Sequence, residues 1–496
     1  MVRYSSASWK QWLKKSWKQH SWKQVCPTRG EIQFKRILFI RDIPEIKVLA
    51  YADDNNFFPK THKSIQLIFE EFSDFGEGSG SAINEQKTQL LPLGSWTDPT
   101  PNTLEEFRVD TIKIFGIEYT NKIDQTSYTQ WTRTMETLEN TIRAYFYKAT
   151  SIFGRALIVN TVGYAKMNYL LSTLDIPIDI LKRSQSLARN FILKGTPRNI
   201  SLETLILSKL DGGVALQDIQ SRQNTFRLKY IKSIIDSPSE YPFGVYYLGI
   251  SLRGVMKFQN TTPHCSHNPP KFYKQCIALI KNNKELLTSS FNTKKVYQHF
   301  IQERQKINLH KQHLFTRVKH SITHGILDLT DTFKNIHTKD FSNIEKQTTW
   351  RIIYSNTPTK EGEAKRLNRL MPCRICKRNI QETQRHIFFD CHGASQSLSA
   401  LRTFLNSPNE GKFSVRATHK ALFLNMLDTN DPKLETRIKM ILISIYRLHL
   451  WSVRLLSVFE NASYTASTIL DIFFIKIKHK LNKLGLWDKF QQMMSE

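Results

Sequence analysis

Residues 46–58 read IKVLAYADDNNFF, with two adjacent carboxylates, Asp53 and Asp54, inside an otherwise apolar run. Placing two like charges among apolar neighbours costs free energy unless something neutralises them. Asp and Asn suit tight turns, so the run reads as strand, turn, strand. If both aspartates stay extended, alternation points them to opposite faces: one to a site, one to its support. Divalent cations make such crowding favourable. Mg²⁺ takes one or two carboxylates plus substrate phosphates, and two such ions can clamp an attacking hydroxyl and a leaving pyrophosphate. Alone, a DD pair in a turn is only a solvated turn, so its surroundings decide.

Upstream, RILFI joins IKVLAY across a break at Asp42-Ile43-Pro44, and both read as strands,. Downstream, Ile65, Ile68, Phe69, Phe72 and Phe75 share one face of a helix that Gly76 should stop,. A Gly/Ser loop follows, then a second strand pair ending at IKIFGIEYT, Ile112 to Thr120. Trp131, Met135, Leu138, Ile142 and Tyr145 step by four, three, four and three, the spacing of a long amphipathic helix,. Further helical runs cover about 155–173 and surround LARNFIL, Leu187 to Leu193. Residues 255–310 are polar and rich in Asn, Lys and His, and read as a linker or variable surface region,.

The chain has 496 residues, 40% of them hydrophobic, enough for several cores,. With 71 Lys and Arg against 43 Asp and Glu, the net charge of +28 points to a polyanionic partner, most simply nucleic acid,. The six cysteines form no disulfide framework, which suggests a reducing compartment,. No apolar run approaches a membrane span, and the basic N-terminus has no signal-peptide core,. SWKQ occurs three times, at Ser8, Ser16 and Ser21, in a leader whose Trp positions fit no single helical stripe.

Further landmarks follow the aspartates in order. Ser79-Gly80-Ser81-Ala82-Ile83-Asn84-Glu85-Gln86-Lys87-Thr88 is followed by Phe115-Gly116-Ile117. Then come Gly154-Arg155-Ala156-Leu157-Ile158-Val159-Asn160 with Tyr169, and Asp211-Gly212-Gly213-Val214-Ala215-Leu216. With YADD, this series resembles the palm and thumb of reverse transcriptases of non-LTR (LINE-type) retrotransposons. The resemblance implies RNA-directed DNA polymerisation by two-metal catalysis. Asp53 and Asp54 would hold Mg²⁺, and Lys87 would protonate the departing pyrophosphate or stabilise its charge. Tyr51, Gly116 and Arg155 would contact substrate or primer.

A second constellation lies in MPCRICKRNIQETQRHIFFDCH, residues 371–392, with the spacing Cys373-x2-Cys376-x9-His386-x4-Cys391. Three thiolates and an imidazole make a closed tetrahedral structural zinc site. His392 is an alternative fourth ligand. The segment, with Glu382, Thr383 and Phe388 in place and Trp350 upstream, resembles the zinc-binding module at the C-terminus of the same reverse transcriptases. Its task would be to present Arg374, Lys377, Arg378 and Arg385 to nucleic acid. A looser grouping of His264, Cys265, His267 and Cys276 reads as polar loop residues.

The 50 residues before Tyr51 contain no D-x-x-x-A-[FY]-D and no QG-x-P pattern. A two-metal site needs a further carboxylate from an earlier strand, so the expectation is a C-terminal portion with little or no polymerase activity alone. An upstream reverse transcriptase segment would then be a partner besides RNA and DNA. The alternative is a non-enzymatic nucleic-acid-binding remnant or a zinc-stabilised interaction protein.

The expected fold class is α+β: a partial palm of antiparallel hairpins plus helix, then a mainly helical thumb and connection, a small zinc module and a helical tail. The expected divisions are a basic leader (1–35), palm (36–122), thumb (123–195), connection (196–344), zinc module (345–410) and basic helical tail (411–496). The tail helices are expected to pack on the zinc module rather than on a membrane. Localisation is expected to be intracellular, nuclear or cytoplasmic, with the nucleus favoured by the family resemblance.

Overall fold

The computed structural model describes residues 48–51, 54–59, 61–80, 82–93, 102–120, 123–148, 151–194, 200–253, 255, 269–288, 291–308, 330–406, 415–427 and 432–495. The SWKQ leader, the RILFI run, Asp53, His264, Cys265 and His267 lie outside them. The described chain is mainly helical, with two small antiparallel sheets, a coarse α+β architecture. It divides into two units, Met1–Arg133 with Phe226–Phe291, and Thr134–Thr225 with Asn292–Glu496.

In the first unit, β1 (Val48–Tyr51) pairs antiparallel with β2 (Asp54–Phe57), setting Tyr51 opposite Asp54. Helix α1 (His62–Ser79) starts at Thr61, whose side chain accepts the Ser64 N–H. It does not stop at Gly76; it runs through Gly76 and Gly78 to Gly80, whose φ of 69° closes it in a left-handed cap. Interior glycine costs a helix only about 1 kcal/mol, whereas the left-handed cap needs glycine's freedom. β3 (Thr111–Ile114) and β4 (Ile117–Thr120) form a second hairpin. Its two-residue turn, Phe115 and Gly116, has φ of 49° and 81°. Positive φ at both positions is the turn that matches strand twist.

In the second unit, the C-terminal half of α2 (Ile123–Tyr145) buries Met135, Leu138 and Ile142, as its spacing predicts. α3 (Ile152–Ile158) continues through one wide and one tight turn into α4 (Asn168–Thr173), followed by α5 (Ile178–Ile192). After α6 (Leu202–Ile206) come α7 (Ile219–Asp236), α8 (Pro242–Leu248), α9 (Lys271–Asn282) and α10 (Thr293–Asn308). Of these, α8 and α9 belong to the first unit, as does α7 from Phe226 onward. α9 and α10 occupy much of the stretch read as linker; each buries a short apolar stripe, Cys276 with Ile280 and Val296 with Phe300. Their Lys- and Asn-rich outer faces dominate the composition and hide those stripes.

Three of the sequence landmarks are tied together by hydrogen bonds within the second unit. Asn160 donates from Nδ2 to Ala215 O at 2.8 Å, and its Oδ1 accepts the Gln217 N–H at 2.9 Å. Trp350 Nε1 and the Tyr354 hydroxyl each donate to Gly212 O at 2.8 Å. Gly212 has φ of 89°, and a Cβ there would sit 2.5 Å from Phe333. At Gly213 a Cβ would overlap the Leu207 carbonyl. The paired glycines are therefore required by packing.

Further along the chain come α11 (Thr330–Ile336), α12 (Asn343–Ile353), α13 (Glu361–Leu367), α14 (Ser395–Leu405), α15 (Val415–Leu424), α16 (Lys433–Phe459), α17 (Ala466–Lys483) and α18 (Trp487–Ser495). One apolar core joins Cys373, Cys391, Ile387 and Phe388 to α14–α18. The tail helices thus complete the core around the cysteines. Among the described residues, α16 alone is long and apolar enough to cross a membrane, contrary to the expectation that no run approaches that length. Most of that stretch is buried inside the protein, which accounts for its apolarity.

Candidate metal centre

The cysteine site begins with a short reversal. The Cys373 N–H donates to Ile380 O at 3.0 Å and the Lys377 N–H to Cys373 O at 3.1 Å, with Lys377 at φ 55°. This curls Cys373-Arg374-Ile375-Cys376 so that both thiols face one side. Pro372 bridges Gln381 in antiparallel fashion and returns the chain. The Thr383 hydroxyl then accepts the His386 N–H at 3.0 Å and starts a helical turn over His386–Asp390. Ile387 and Phe388 are fully buried and pin that turn to the core, and Tyr446 donates to Phe388 O at 3.1 Å. Cys391 leaves the turn with extended backbone.

The result brings one donor atom each from Cys373, Cys376, His386 and Cys391 within 4.8 Å of one another. Cys373 Sγ lies 4.0 Å from Cys391 Sγ, and Cys376 Sγ lies 3.4 Å from His386 Nε2. Tetrahedral ligation with Zn–S near 2.3 Å and Zn–N near 2.0 Å separates neighbouring donors by about 3.6–3.8 Å. The donor set and spacing fit a metal ion such as zinc. His392 is exposed and not part of the group, because the chain turns outward after Cys391.

Electrostatics point the same way. The hydrogen bond from the Cys391 thiol pulls Cys373 down to about 5, while Cys391 is pushed up by the same bond and by burial. Cys376 is also raised, chiefly by burial. Without a cation, the pocket favours one thiolate and opposes the others; a divalent ion removes that conflict.

Glu382, a motif residue with no metal role, is fully buried. Its Oε1 accepts from Arg454 Nη2 at 2.8 Å and from the Lys360 N–H at 3.0 Å. Gln384, which the sequence reading passed over, accepts from Thr357 Oγ1 at 2.7 Å and donates to Ile352 O at 2.7 Å. Arg447 is fully buried and donates to Leu422 O at 2.8 Å and Asn425 Oδ1 at 2.8 Å, closing the end of α15. The one available signal was charge interrupting an apolar helix at Arg447 and Arg454.

The four basic residues of the module are all exposed. Lys377 donates to Ser463 at 2.8 Å and Arg385 pairs with Asp390 at 3.0 Å.

Asp54 opens β2 opposite Tyr51, and Asp53 lies outside the described residues. Lys87 is exposed on a tight turn capped by Asn84. Gly116 sits in the β3–β4 turn, where Gln130 Nε2 donates to its carbonyl at 3.2 Å. Arg155, expected at the primer, is 5% exposed and donates from Nε to Ile192 O at 2.9 Å at the end of α5. Of the looser His/Cys grouping, only Cys276 is described; it is fully buried and serves the core.

Fold and site together define a mainly helical α+β protein with a buried Cys₃His cluster suited to a metal ion. In comparison with known proteins, no family model matches the chain and no curated protein matches its sequence.

Proposed function

We propose that the chain derives from a reverse transcriptase of the non-LTR retrotransposon type and binds RNA and DNA through a helical C-terminal half held by a structural zinc ion. The observation that carries this reading is the order of the landmarks. The Gly154–Asn160, Asp211–Leu216 and Trp350 segments, matched separately, are hydrogen-bonded to one another. The Cys₃His cluster follows them at the expected place. Four protein ligands leave no open coordination position, so the zinc is structural.

In this reading, residues 36–122 are palm, 123–195 thumb, and the protein works in the nucleus. Asp53 and Asp54 hold Mg²⁺, and Lys87 serves the leaving pyrophosphate. One carboxylate pair clamps two ions poorly, and losing one member of a cooperative catalytic set costs orders of magnitude in rate. Polymerisation by this chain alone is therefore weak or absent.

A zinc-stabilised interaction protein is the second reading, favoured by the engagement of Lys377 and Arg385 within the fold. Filter binding to RNA across a salt series separates the two. The nucleic-acid reading expects log affinity to fall steeply and linearly with log salt; a flat response supports the interaction protein. Primer extension on an RNA template with Mg²⁺ tests the catalytic part. Robust incorporation that disappears in Asp53→Ala would overturn the expectation of weak activity.

A further inference from the structure

The second unit holds a group of basic side chains away from the cysteines. α3 and α12 meet where the Ile152 N–H donates to Gln347 Oε1 at 2.7 Å. Arg155 lies about one turn along α3 from that bond, and Arg351 about one turn along α12,. The two guanidiniums are neighbours close enough to repel. Arg155 is 5% exposed and its Nη2 has no hydrogen-bond partner. Arg351 Nε is buried and likewise unpartnered. His337 packs edge-on against Phe153 with ring centroids 5.1 Å apart, and its Nε2 also lacks a partner. Lys209 Nζ lies 6.0 Å from the Phe153 ring centroid, and Lys346 adds positive potential at His337. Among the described residues, no carboxylate pairs with Arg155 or Arg351.

Burying one unpaired cation is costly, and burying two side by side is more so. Neighbouring guanidiniums with unpartnered N–H groups suit an oxyanion, which satisfies the hydrogen bonds and cancels the repulsion together. We propose that Arg155 and Arg351, rimmed by His337, Lys209 and Lys346, form a binding site for a phosphate group. Burial supports the assignment: it presses Arg351 down to about 10, with Arg155 adding to it, and His337 down to about 4, with Lys209 and Lys346 adding to it. A bound anion relieves all of these strains. Arg155 is too deep for an unbroken diester backbone, so the occupant is inorganic phosphate or the terminal phosphate of a strand. The proposal stands apart from the reverse transcriptase reading, since it uses no landmark of that family beyond the position of Arg155.

Titration calorimetry on the full chain tests it with three probes: inorganic phosphate, a short oligonucleotide carrying a 5′-phosphate, and the same oligonucleotide with a 5′-hydroxyl. The expected result is phosphate binding that Arg351→Gln weakens on the order of tenfold or more, and that Lys365→Gln, at an exposed lysine paired with Glu361 on α13, leaves unchanged. If Arg351→Gln fails to fold, Lys346→Gln at the rim should still weaken binding severalfold. Preference for the 5′-phosphorylated strand over both other probes supports a strand end as occupant; phosphate binding with no preference between the strands supports the free ion. Absence of phosphate binding, or binding that neither Arg351→Gln nor Lys346→Gln alters, overturns the site.

Discussion

The β1–β2 hairpin and the cysteine module each carry a short run of ionisable residues, and the residues around the two runs are packed differently. The hairpin pairs over four residues, Asn55 to Phe57 are half-buried, and Phe57 meets Phe72 edge-on at 5.6 Å. In the module, Cys373, Cys391 and His386 are buried, and the residues between them anchor a core that reaches to α18. A carboxylate pair on a hairpin serves chemistry only when a remote strand supplies its partner. A Cys₃His set closes within 19 residues, Cys373 to Cys391, and its geometry can be judged whole. Fold stability should therefore depend on the module and hardly at all on the aspartates.

The largest expected effect is at the cysteines. Cys373→Ser should abolish metal binding and destabilise the second unit by more than about 4 kcal/mol, read by thermal melting. Asp53→Ala should change stability by no more than about 0.5 kcal/mol. Comparable losses from both would break the contrast.

Next is the buried pair behind the cluster. Arg454→Met leaves Glu382 charged and buried, and should cost about 3–5 kcal/mol. The double variant with Glu382→Leu should recover a large part of that in denaturant unfolding.

His449 sharpens the contrast through pH. Burial, reinforced by Lys476, pulls it down to about 4, although Nε2 faces Ile469 O at 2.8 Å. The unfolded imidazole protonates near pH 6.5, so between about pH 6.5 and 4 the unfolded state binds more protons. Stability is therefore fully present above that window and falls through it by up to about 3 kcal/mol. At matched metal content, His449→Gln should narrow the difference in melting temperature between pH 7 and pH 5.

Two landmark glycines carry different loads. Gly213→Ala drives a Cβ into the Leu207 carbonyl and should cost about 2 kcal/mol or more,. Gly116→Ala puts a side chain at φ 81° and should cost about 1 kcal/mol. The smallest effect is expected at Arg385→Ala, which breaks an exposed pair with Asp390 and should move stability by less than about 1 kcal/mol.

What could be read in advance was local. The Trp131-Met135-Leu138-Ile142 stripe and the cysteine spacing each need only neighbours within a few turns, and both appear in the fold. What escaped was long-range. Glu382 finds Arg454 across 72 residues, Trp350 finds Gly212 across 138, and no periodicity encodes either. Likewise, Arg155 meets the carbonyl of Ile192 37 residues on, a contact that no local pattern announces. The stripes of α9 and α10 were hidden by their polar faces, and α1 outran Gly76 because glycine weakens a helix without ending it.

Metal content tests the central claim most directly. Native protein purified without chelator should contain about one zinc per chain, with sulfur and nitrogen neighbours in X-ray absorption, and should lose it in Cys373→Ser together with the cooperative melting of the second unit. A folded, zinc-free native protein whose melting is indifferent to chelator would contradict the account.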